Sequence, residues 1–114
     1  MEQPALVVSR MYDFSLWIVN KVQNFPRSHR AQLGDRLISA ALDLLLALVQ
    51  ASFSAEKASL LDAANRHVHS LRYLLRLSKD LHLISLDSYA HAAAQCEEVG
   101  RMAGGWRKQI AGRS

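Results

Sequence analysis

Cysteine occurs once in the 114 residues, as Cys96. That excludes an internal disulfide framework and any multi-cysteine zinc site. Proline occurs twice, at Pro4 and Pro26, and glycine five times, at Gly34, Gly100, Gly104, Gly105 and Gly112. Neither helix breaker falls between Asp35 and Val99, a stretch rich in Leu, Ala, Arg and Gln, the strong helix formers. Alternating β-branched and aromatic runs are missing, apart from a short Leu6-Val7-Val8. The longest unbroken apolar run, Leu44 to Val49, is far short of a membrane span. Near the N-terminus Glu2 stands where a signal peptide carries a base, so the expectation is a cytoplasmic protein without a membrane partner.

What is present is apolar and basic. Half the residues (50%) are hydrophobic and 21% are charged, the balance of a chain with a packed core rather than a disordered one. At this length the chain is one domain, residues 1–114. Fourteen Lys+Arg against ten Asp+Glu leave a net charge of +4. Such a balance favours anionic partners and says nothing of the fold.

The spacing of apolar residues predicts four helices, over about 8–24, 28–53, 55–81 and 85–111. In the first, Met11, Phe14, Ile18, Val22 and Phe25 recur at steps of three and four, with Trp17 beside them. Pro26 ends it, because the residue before a proline is pushed out of the α region. Ser28 is the expected N-cap of the second helix, whose stripe is Leu33, Leu37, Ala41, Leu44, Leu45, Leu48 and Ser52. The third, starting after Ser54, carries Leu61, Ala64, Val68, Leu71, Leu75 and Ser78, widened by Leu60, Leu74 and Leu81. Ser85 is the N-cap of the fourth, with Asp87 in its first turn. Tyr89, Ala92, Cys96, Val99, Ala103, Trp106 and Ile110 follow without a slip, so this helix is expected to pass through Gly104-Gly105. Short links make consecutive helices antiparallel, which gives an all-α, up-down-up-down four-helix bundle.

Catalytic chemistry finds no starting group, and no enzyme is expected. His67 and His69 lie about 200° apart around a helix, so they cannot chelate one metal. The Glu-x-x-His pair of di-iron bundles does not occur. Cys96 falls in an apolar stripe and reads as a buried structural thiol. His29, His82 and His91 read as surface or helix-end groups. No metal and no cofactor is called for.

The basic residues are better ordered. On the third helix Asn65, His69, Arg72, Arg76 and Lys79 follow steps of four, three, four and three, a row expected to lie opposite the apolar face. A second cluster, Arg27, His29, Arg30 and Arg36, stands between the first two helices, and a third, Arg101, Arg107, Lys108 and Arg113, forms the tail. Rows of this kind are the electrostatic footprint of phosphate binding. Arg outnumbers Lys ten to four, and its planar fork suits phosphate. The candidate nucleic-acid ligands are therefore Arg27, Arg30, Arg36, Arg72, Arg76, Lys79, Arg101, Arg107 and Lys108.

The second helix lacks a wet face. Its polar stripe would be Arg36, Ser39, Asp43 and Gln50, but Leu46 falls inside it and Leu42 at its edge, with Ala40 and Ala47 nearby. A helix apolar almost all round is buried on more than one side. Leu42 and Leu46 are thus candidates for an interface between copies of the chain.

Several blocks together resemble the accessory variability determinant (Avd) proteins of diversity-generating retroelements. They are Phe25-Pro26-Arg27-Ser28-His29-Arg30, Leu33-Gly34-Asp35-Arg36, Leu71-Arg72-Tyr73-Leu74-Leu75-Arg76-Leu77, Leu83-Ile84-Ser85-Leu86 with Tyr89, and Gly100-Arg101-Met102-Ala103-Gly104-Gly105-Trp106. The wider family includes the four-helix proteins encoded in intervening sequences of bacterial 23S ribosomal RNA genes. The resemblance implies a bundle assembled as a homopentameric barrel, with basic surface that binds RNA or DNA. It also implies partnership with the retroelement's reverse transcriptase, which makes mutagenised cDNA from a template RNA. The alternatives are a bundle of the intervening-sequence type and a structural or interaction oligomer without nucleic acid.

Overall fold

The computed structural model describes residues 3–113, so Met1 and Glu2, on which the signal-peptide argument turns, lie outside it. It is all-helical across the described residues, and the four long helices are α1 (Gln3–Val22), α2 (Arg27–Phe53), α3 (Lys57–Asp80) and α4 (Leu86–Arg113). α1 begins earlier than its periodicity indicates. Leu6, Val7 and Val8 are helical, and Val7 is fully buried, so the one strand-like signal is overridden by packing. α4 is 28 residues long and passes unbroken through Gly104-Gly105. At 1.5 Å per residue that is about 42 Å, in keeping with a bundle whose longest dimension is 47 Å.

Each helix packs on its neighbours in the chain, and α1 meets α4, closing a ring of four around one core. Met11, Phe14, Ile18, Val22 and Phe25 are buried, as are Leu61, Ala64, Val68, Leu71, Leu75 and Ser78 of α3, and Ala92, Cys96, Val99, Ala103 and Trp106 of α4. The one buried hydroxyl of α3, Ser78, donates to the Leu74 carbonyl at 2.8 Å, so it leaves no polar atom unmatched. Leu81 departs from expectation. It ends up exposed because α3 stops at Asp80 and the chain turns away there.

The helix ends follow local chemistry. Pro26, not Ser28, occupies the N-cap of α2, and its carbonyl accepts the His29 and Arg30 amides at 3.0 and 2.9 Å. Its fixed φ, −55° here, stands at the threshold of the first turn, and Ser28 is left within that turn. At the other end, the Lys57 ammonium donates to the Ala51 carbonyl at 2.7 Å, a cation closing the negative end of α2. Ser85 does cap α4: its hydroxyl accepts the Ser88 amide at 3.0 Å, and Asp87 sits in the first turn.

α2 is not a regular α-helix. Its residues Arg30–Gly34 form a π turn, in which the Asp35 amide reaches back to the Arg30 carbonyl. Gly34 faces α1 there, and a Cβ on it would sit 2.6 Å from Val22 Cγ1. The two helices approach so closely only because that side chain is missing. α2 is also long and apolar enough to cross a membrane, which the count of unbroken residues misses because Ser39, Asp43 and Gln50 interrupt the run. Its apolar residues Leu37, Ala41, Leu44, Leu48 and Ala51 are spent on the bundle core.

α3 ends in a Schellman turn. The His82 amide donates to the Lys79 carbonyl and the Leu83 amide to the Ser78 carbonyl, both at 2.9 Å. The turn requires a left-handed residue, and His82 supplies it at φ 60° where glycine is the usual choice. His82→Gly is therefore expected to raise stability by about 1 kcal/mol, the penalty of holding a Cβ in that region. Urea unfolding measures it, and an unchanged or lower midpoint would mean that the imidazole compensates for its backbone.

Candidate nucleic-acid interface

The row Asn65, His69, Arg72, Arg76 and Lys79 is continuous, but it does not lie opposite the core. At 3.6 residues per turn its axis is about 90° from that of the buried stripe. That places it on the flank where α3 meets α4. Arg72 is half-buried and pairs with Glu97 of α4 at 3.5 Å, with His69 Nδ1 3.2 Å from its other nitrogen. Lys79, also half-buried, lies over the Tyr89 ring of α4 at 4.8 Å and pairs with Asp80 at 3.4 Å. These two long side chains cover the seam between the helices, their stems on apolar surface and their charges outward.

The tail is likewise tied into the bundle. Arg107 donates to Asp62 across the same seam at 2.9 Å, and Arg101 bonds Glu98, which also faces Arg10 of α1 at 3.9 Å. The hydrogen bond from Arg107 holds the Asp62 carboxyl below the ordinary carboxylate range, and the one from Arg101 does the same to Glu98. Lys108 is exposed with no acid within ion-pair distance among the described residues, and the side chain of Arg113 lies outside them. A shallow groove between α3 and α4 is lined by Asp62, Asn65, Gly104, Arg107 and Lys108. Space is open above Gly104, where a Cβ would touch nothing within 4 Å.

The cluster at the start of α2 stands apart. Helix direction puts Arg27, Arg30 and Arg36 at the end of the bundle where α1 stops, opposite the end that holds Arg107 and Lys108. Arg30 reaches back to the Phe25 carbonyl at 3.4 Å, while Arg27 and Arg36 are exposed and form no ion pair among the described residues. The nine candidate cations thus form no single patch. Arg72, Lys79, Arg101 and Arg107 carry internal acid partners, all of them at least partly solvent-facing. Pairs facing solvent in this way contribute little to stability, so a phosphate would meet little resistance in competing with the acid.

Two residues of this face escaped the sequence argument. Arg66 and Tyr73 belong to an outer row of α3, Arg66, His69, Tyr73 and Arg76, all exposed. Steps of three, four and three mark this row in the sequence, but its single aromatic residue interrupts the run of basic side chains.

A second surface is apolar. Leu42 and Leu46 are exposed on α2, as expected, and Ala40 and Ala47 are not: both are buried, because their register turns them inward toward the core. The exposed face is wider than those two leucines. Tyr12, Leu16 and Val19 of α1 form a groove with Leu42 and Leu45, and Phe53, 88% exposed, continues it beside Val49. An apolar tract spanning two helices of a small protein is unusual for a lone monomer.

Cys96 is buried beside the Val68 carbonyl, its Sγ 3.7 Å from that oxygen. Burial pushes the thiol up to about 11, so it stays protonated and unreactive in the fold. Among the described residues no group of three or more His, Cys, Asp or Glu side chains is placed to hold a metal.

A family model described as bAvd-like matches residues 5–110. Among curated proteins, no match is found. A solved structure of similar fold is a protein of unknown function from the S23 ribosomal protein family of Bacteroides thetaiotaomicron VPI-5482. It is 14% identical with a TM-score of 0.85, over 93% of this chain and 98% of that one. At that identity the likeness speaks to the fold.

Proposed function

The chain belongs to the bAvd-like family, and from that premise we propose that it is a non-enzymatic, nucleic-acid-binding accessory protein of a diversity-generating retroelement. It partners the reverse transcriptase in mutagenic cDNA synthesis from a template RNA, in the cytoplasm. The observation that carries this proposal is the cationic outer side of α3 and α4, where Arg76 and Lys108 stand exposed with no acid at ion-pair distance among the described residues and Arg66 stands exposed beside Asp62, whose carboxyl its charge helps to hold down. A protein that acts by bringing polymerase and template together needs such a surface and no reacting group of its own.

Self-association would serve the same role. The apolar tract on α1 and α2 is the surface proposed to join copies of the chain, in the homopentamer that the family resemblance implies. Repeating one cationic face several times on one particle converts weak phosphate contacts into avid binding.

The test is cDNA synthesis with the cognate reverse transcriptase and template RNA. Omitting the protein is expected to abolish or sharply reduce product, and the protein is expected to co-purify with the enzyme. Synthesis that proceeds equally well without it, with no co-purification, contradicts the proposal.

A further inference from the structure

The outer row of α3 holds an aromatic ring among cations. Arg66, His69, Tyr73 and Arg76 are all exposed. Tyr73 is 65% exposed. Arg66 lies about 10 Å from it along the helix on one side and Arg76 about 4.5 Å on the other, at 1.5 Å rise per residue. Two other rings already hold a cation: Lys21 lies over Trp17, whose ring also meets Phe14 and His91, and Lys79 lies over Tyr89. Among the described residues no ring and no cation stacks on Tyr73.

A tyrosine ring left in water forgoes the stabilisation that burial of its apolar faces would bring, so the free subunit gains little from it. Its position fits a different use. A single strand of nucleic acid offers unstacked bases, and a bare ring between phosphate-binding arginines is the arrangement that receives them. A duplex keeps its bases stacked and offers an isolated ring on a convex helix only backbone. Resting on the phosphate-binding proposal above, we infer that Tyr73 is a base-stacking platform and that this face takes single-stranded nucleic acid in preference to duplex.

The experiment uses the full chain with fluorescein-labelled oligouridylate as the single strand and a blunt RNA duplex of equal length. Wild type is expected to bind the single strand more tightly. Tyr73→Ala is expected to weaken single-strand binding about 5- to 150-fold, the cost of losing one stacked base. It should leave duplex binding and the salt dependence of both within twofold. Tyr73→Phe should retain the preference, and in Tyr73→Trp the new indole should be quenched on adding the single strand. Because Tyr73 is exposed, helicity should be unchanged in all three. If wild type binds neither probe, the phosphate proposal itself fails. If it binds both but Tyr73→Ala leaves the preference unchanged, the stacking role is wrong and the phosphate role stands. If Tyr73→Ala changes the particle mass and not the RNA affinity, the ring belongs to a contact between copies, and the inference is overturned.

Discussion

Leu46→Glu is expected to break the proposed assembly of copies into smaller species without unfolding the subunit. Leu46 is 52% exposed on α2 and stands in the apolar tract with Leu42, Leu16 and Phe53. A carboxylate there is solvated in the free subunit, so the fold loses little. In an interface the same carboxylate is buried without a partner, which costs on the order of 3 kcal/mol, more than a hundredfold in each association constant. Light scattering and far-UV circular dichroism on the same sample separate the two effects. A mass unchanged from wild type would place the contact elsewhere. The position was legible in the sequence, since one leucine interrupts an otherwise polar stripe. The extent of the tract was not, because it includes Tyr12 and Leu16 on another helix, and pairing of faces is a tertiary fact.

Gly34→Ala is expected to destabilise the subunit by about 1 kcal/mol, a sign opposite to helix propensity. Gly34 has ordinary helical angles, φ −59° and ψ −44°, so alanine would gain about 1 kcal/mol if space allowed. Space does not allow it: the new Cβ would meet Val22 Cγ1 at 2.6 Å. Val22 is buried and β-branched, so it has few rotamers in which to yield. Overpacking of that sort costs typically about 1–3 kcal/mol, and the clash outweighs propensity. Two controls isolate the cause. Gly104→Ala, where a Cβ meets nothing, should be stabilising. Combining Gly34→Ala with Val22→Ala should recover much of the loss in a double-mutant cycle. An additive cycle would show that the two residues do not touch.

Gly34 also marks the limit of sequence reasoning about this fold. Apolar spacing located all four helices, because periodicity reports which side of a helix is buried. The π turn over Arg30–Gly34 left no trace in that pattern, since its geometry depends on how closely α1 approaches. The basic face shows the same limit. Steps of four and three make Asn65 to Lys79 continuous but do not say which way the row points. Its flank position, and the ion pairs Arg72–Glu97 and Arg107–Asp62, depend on a neighbouring helix 25 and 45 residues away in sequence. Ala40 and Ala47 failed for a related reason, because a small residue fits equally at a surface or at a close helix contact.

Nucleic acid held through phosphate is released as salt rises, so affinity measured against salt concentration tests the proposed role most directly. With Arg66, Arg76 and Lys108 as the exposed cations proposed to meet phosphate on the α3–α4 side, each subunit would neutralise about three phosphates. The logarithm of single-strand affinity should then fall against the logarithm of salt with a slope near −2 per subunit engaged. Reversing Arg66 and Arg76 to Glu should flatten that slope and reduce low-salt affinity by at least about tenfold, with helicity preserved. Wild-type binding that is absent at low salt, or that does not change as salt is raised, would contradict the account.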